Sequence, residues 1–72
     1  MATEHDHLAQ AARHIERAEE MVGEQRFLIA RMADAGHDTK LAESVLETMQ
    51  STLQRMYEHR GLIEAAIAAG QP

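Results

Sequence analysis

Residues 32–43 read MADAGHDTKLAE, and the four letters Gly36-His37-Asp38-Thr39 are the one place where an otherwise continuous helical pattern stops and restarts. Gly36 suits the left-handed residue that closes a helix C-terminus, because it carries no Cβ to clash there. Asp38 suits an N-cap, where its carboxylate accepts orphan amide hydrogens and complements the dipole of the next helix. His37 is the residue that neither cap requires, and an ordinary hydrogen bond within the turn is its expected role. A connection this short forces the flanking segments to lie antiparallel. The stretch therefore predicts an all-α hairpin with helices over about residues 3–35 and 38–69, each roughly 45 Å long.

Moving outward from the turn, both flanks repeat every 3.5 residues. With Leu8 as heptad position a, helix 1 places Leu8, Ile15, Val22 and Ile29 at a, and Ala11, Ala18, Gln25 and Met32 at d. With Leu46 as a, helix 2 places Leu46, Leu53, Arg60 and Ile67 at a, and Ala42, Met49, Met56 and Ile63 at d. Only Gln25 and Arg60 interrupt the apolar stripes. Such a period indicates helices that cross at a shallow left-handed angle, as in coiled coils and four-helix bundles. Residues whose numbers sum to about 74 are expected side by side, which sets His14 near Arg60 and Gln25 near Met49. Thr3, followed by Asp6, resembles a capping box with a shorter acid and marks the start of helix 1.

Each stripe is wider than one neighbour can cover. Met21 and Leu28 fall at g in helix 1, and in helix 2 Val45 falls at g and Tyr57 at e. A stripe of a, d and a flanking position is what bundle helices use to touch two neighbours. Two hairpins pairing into a homodimeric four-helix bundle would bury the surplus, and two-fold symmetry is the commonest closure. Phe27, at f, lies almost opposite the seam beside Gly23, so it is either a docking point for another protein or an ordinary exposed side chain. Gly23 and Gly61 each cost about 1 kcal/mol relative to alanine inside a helix, a cost that is either offset by close helix approach or simply tolerated. Arginine or lysine is followed three residues later by an acid at Arg13/Glu16, Arg17/Glu20, Arg31/Asp34, Lys40/Glu43 and Arg55/Glu58. These are expected surface pairs worth about 0.2 to 0.5 kcal/mol each.

The 72 residues make one domain, 1–72, and a chain of this size buries only about 60% of the surface its unfolded form exposes. Without cysteine it has neither disulfides nor thiolate zinc sites to reinforce a small core, so oligomerisation is the expected remedy. Thirteen alanines and five methionines beside one Phe and one Tyr favour helix over strand. The net charge of -5 disfavours nucleic acid and anionic membranes as partners. The sequence opens with no secretory-type leader and contains no run of about 18 apolar residues, so the expected compartment is the cytoplasm.

Glu4, His5, Asp6, His7 and His14 crowd potential metal ligands into the first turns. His7 and His14 stack about 10 Å apart along one face, too far to share an ion unaided. His14 and His59 are expected to approach each other across the hairpin. No His-x3-His pair occurs, and only Glu4-x-x-His7 matches the Glu-x-x-His spacing of di-iron bundles. The expectation is no metal and no cofactor, with a metal-binding or metal-responsive bundle using His7, His14 and His59 as the alternative. Arg60 calls for an acid, Glu16 or Glu19, unless its stem lies on the core and its head reaches water. No Gly-rich phosphate loop, serine nucleophile arrangement or pair of catalytic carboxylates is present, and no histidine is followed by the lysine and glycine expected around a phospho-acceptor. Enzymatic activity is not expected.

The run HLAQAARHIERAEEMVGEQRFLIARM followed by AGHDTKLAESVLETM resembles a type of short, uncharacterised helical protein of alphaproteobacteria, in which a GHDT turn separates two amphipathic helices. The likeness covers about residues 7–63; it implies the hairpin, and no activity, cofactor or catalytic residue comes with it. In shape alone the hairpin is also similar to the Rop-type RNA-binding dimer, but the acidic balance and the lack of a lysine-rich face argue against RNA binding. The reading is a non-enzymatic protein-binding or adaptor module acting as a helical-bundle homodimer. Its expected interface is Leu8, Ile15, Met21, Val22, Leu28, Ile29, Met32, Val45, Leu46, Met49, Leu53, Met56, Tyr57, Ile63 and Ile67, with Phe27 as a possible contact for another protein.

Overall fold

The computed structural model describes residues 3–70, and among these all regular structure is helical. Helix α1 spans Glu4–Asp34 and helix α2 spans Lys40–Ala68; the two pack against each other as an antiparallel hairpin. The expected termini of the helices are displaced by one or two residues, and Gln71 and Pro72 lie outside the described residues. Neither helix is long and apolar enough to cross a membrane.

The helix ends follow from local chemistry. Thr3 accepts from the Asp6 amide and Asp6 accepts from the Thr3 amide, both at 3.1 Å, which completes the capping box despite the shorter acid. At the other end of α1, Gly36 adopts φ +77°. Its amide bonds the Ala33 carbonyl at 3.0 Å, and the His37 amide bonds the Met32 carbonyl at 2.9 Å. These two bonds form a Schellman closure, which satisfies carbonyls that the helix itself leaves open. His37 thus serves the turn through its backbone, and its imidazole is exposed.

The start of α2 differs from expectation. Asp38 does accept a helical amide, that of Lys40 at 2.9 Å, but Thr39 occupies the cap position. The Thr39 hydroxyl donates to the Glu43 carboxylate at 3.1 Å instead of accepting from the backbone. Asp38 reaches only two residues ahead, the span of an Asx-turn, so the cap is divided between neighbouring side chains.

Between Leu8 and Met32, every buried or half-buried residue of α1 is an a or d residue; in α2 only half-buried Tyr57 and Ala66 join the a and d set. The seam is therefore the one set by the heptads. It is thin: Ile15, Val22, Ala42 and Ile63 are the buried apolar residues. The register holds along most of its length, since Tyr57 reaches Glu19 and His59 shares a groove with His14. Gln25 departs from it. Its amide nitrogen donates to the Ala42 carbonyl at 2.9 Å, on the turn side of the expected neighbour Met49. A long flexible side chain reaches the nearest free lone pair of the opposite backbone, and this polar tie replaces an unsatisfied amide in the seam.

The molecule is a rod of 55 × 16 × 15 Å. Its radius of gyration is 16.5 Å, whereas a compact chain of this length has about 11 Å. It exposes 5574 Å² of surface, compared with roughly 4,450 Å² for a typical folded monomer of 8.0 kDa.

Candidate functional site

In an antiparallel pair, the g residues of one helix border the g residues of the other, and e borders e. The hairpin therefore has two flanks, and the side chains make them chemically different. On the g side, Met21 and Thr52 share one depression with Ala18, Met49 and Met56, while His14 and His59 share the next with Ala11, Thr52, Arg55 and Met56. On the e side, the Tyr57 hydroxyl donates to the Glu19 carboxylate at 2.6 Å.

The g flank keeps large apolar side chains in solvent. Met21, Leu28 and Val45 are 46%, 47% and 43% exposed, although each borders the seam. Leu41 and Leu62 continue this side of α2, still more exposed, at heptad position c. Position c lies next to g on a helical wheel, and that adjacency is the signal in the sequence that would have identified both leucines. The same flank carries Arg17, Arg31 and Arg55 at c against one acid, Glu24. The opposite flank, at e and b, carries Glu16, Glu19, Glu43, Glu47 and Glu64 against Arg26 and Lys40. One side of the rod is thus apolar with a basic edge, and the other is acidic.

Tyr57, grouped with Met21, Leu28 and Val45 on sequence grounds, stands on the other flank. Its hydroxyl engages Glu19, and the Arg60 guanidinium lies 5.4 Å from the centre of its ring. This answers what Arg60 does at an a position: it stacks on an aromatic face, and the expected acid, Glu19, bonds the phenol instead. The hydrogen bond to Glu19, then burial and the charge of Glu19, raise the Tyr57 pKa above the usual 10.0, against an opposing pull from Arg60. A raised value means that the contact stabilises the fold below the ordinary tyrosine pKa and is lost as pH climbs through the folded value. As the chain has one tyrosine, its tyrosinate absorbance can be titrated without ambiguity. The midpoint should lie above 10.0 in the native protein and fall towards it in Glu19→Gln, which removes the carboxylate charge. Identical midpoints in the two proteins would show that the bond does not persist in solution.

The expected Arg-to-acid surface pairs do not form. Among the described residues, the one contact between a basic and an acidic side chain within 4.0 Å is His7 with Glu4 at 3.6 Å. A base placed N-terminal to its acid opposes the preferred order along a helix, and an exposed pair must also hold two long side chains still. Arg31 instead lies 5.9 Å from the centre of the Phe27 ring. Phe27 itself is 65% exposed on the outermost face. A Cβ built on Gly23 or Gly61 would meet nothing within 4 Å, so neither glycine serves a close approach within the hairpin.

His7, His14 and His59 line a common groove with Gln10 and Ala11 at the end of the rod away from the turn. The structure thus brings together the histidines named as the alternative site. No group of three His, Cys, Asp or Glu able to hold a metal ion occurs among the described residues. In comparisons with known proteins, no family model matches the chain, and neither a curated protein nor a solved structure does.

Proposed function

We infer that the chain is a small, non-enzymatic, cytoplasmic protein-protein interaction module that works as a homodimeric four-helix bundle, leaving its outer faces free to contact another protein. One observation carries this reading: Met21, Leu28, Val45, Leu41 and Leu62 lie exposed along one flank of a rod whose other flank is acidic. A surface of thioether and branched aliphatic groups gains free energy by leaving water, at about 25 cal/mol per Å², and has no bond-making chemistry of its own. The surface in excess of a typical monomer, roughly 1,100 Å², is the scale that each partner buries in a standard interface, about 800 Å².

Sedimentation velocity at micromolar concentration tests the reading. The expected sedimenting mass is twice that of one chain. A stably folded monomer under those conditions would sink it.

A further inference from the structure

The centre of the apolar flank on α1 sets one acid and one base on either side of an exposed leucine. Along α1 it reads Met21, Glu24, Leu28, Arg31, alternating between g and c. Glu24 and Arg31 are one heptad apart, about 10 Å along the axis, with Leu28 between them. By the register of the hairpin Val45 falls at about the level of Leu28, and both are nearly half exposed. The Arg31 guanidinium lies 5.9 Å from the centre of the Phe27 ring.

We propose that a second copy of the chain docks on this flank with its α1 antiparallel to this α1, about a two-fold axis passing near Leu28, so that Glu24 of each copy faces Arg31 of the other. The proposal rests on the dimer reading above and specifies the geometry of that dimer. A two-fold axis perpendicular to the helix reverses the chain about its own position, so it exchanges residues equally spaced on either side of Leu28. Glu24 and Arg31, four and three residues from Leu28, are nearly such a pair, and the same operation returns Leu28 to within about one residue of its own level. It also brings Leu41, on the turn side of Val45, to a level between Met21 and Glu24 of the other copy.

The competing closure has its two-fold axis parallel to the helices and faces α1 with α2 of the second copy. It would set Arg31 against Leu41, Val45 and Thr48, because the g and c positions of α2 contain no acid. The perpendicular axis therefore suits the charges, while burying the same apolar centre. Rim ion pairs add little affinity, but like charges placed opposite each other disfavour the wrong arrangement.

A charge swap tests this. Glu24→Arg and Arg31→Glu should each weaken dimerisation about tenfold or more, since symmetry places two like-charge contacts in every dimer. The double variant should recover affinity to within about threefold of the parent. A parent dimer whose affinity is unchanged by both single reversals would overturn the proposed geometry and leave the interaction-module reading standing. A parent that is monomeric would overturn both. Circular dichroism checks that each variant remains helical. If one does not, Leu28→Cys provides a separate measurement in a chain with no other cysteine. Mild oxidation should then cross-link the dimer through position 28, and failure to cross-link would overturn the axis position.

Discussion

Replacing Ile15 with alanine should remove a large share of the stability of this protein. Ile15 is the most deeply buried of the four core residues, at 3% exposure, and it sits at an a position of the seam. Truncating a buried isoleucine to alanine costs about 2–5 kcal/mol, from lost transfer energy and from the cavity left behind. A chain of this length is expected to have about 4–11 kcal/mol in total. With so few buried neighbours, no other part of the seam compensates. Urea unfolding followed by circular dichroism should show a much lower midpoint. A loss below about 1 kcal/mol would mean that the two helices are not held by this seam.

Leu28→Glu should act on association. The side chain lies at the centre of the exposed flank, and a carboxylate there would have to be desolvated in each copy whenever two chains meet. The dissociation constant should rise by about a hundredfold or more, the size of effect that truncating a central interface residue produces. The parent should melt at a temperature that rises with protein concentration, and the variant at one that does not. Tyr57→Phe should leave the concentration dependence unchanged, because that ring belongs to the acidic flank and its hydroxyl serves Glu19 within one chain. A Tyr57→Phe variant as dissociated as Leu28→Glu would show that the interface lies on the wrong flank.

The contrast between Leu28 and Tyr57 separates what heptad spacing makes legible from what it leaves open. The heptads predicted the a and d seam residue by residue, because burial along a pair of helices follows a fixed angular period. They also held the means to separate Tyr57 from the other flanking residues, since antiparallel helices pair g with g and e with e. Leu41 and Leu62 lie outside a stripe bounded at g, because on α2 the apolar surface continues to c. His7, His14 and His59 do line one groove, as the numbering across the hairpin implied for the latter two, but a shared groove is a weaker condition than convergence on one ion.

What the sequence determined by itself is whatever depends on backbone periodicity and on residues a few positions apart. The Thr3–Asp6 capping box, the closure at Gly36, the antiparallel hairpin and the seam all belong to that class. Their interactions are local or repeat along one axis, so spacing alone specifies them. Only the tertiary structure decided which partner each long polar side chain takes. Gln25 chose the Ala42 carbonyl, Glu19 chose the Tyr57 phenol over Arg60, and Arg31 lay over Phe27 in preference to Asp34. Several acceptors lie within reach of each of these groups, and the differences among them come from side-chain packing and solvent exposure, which a one-dimensional pattern does not contain.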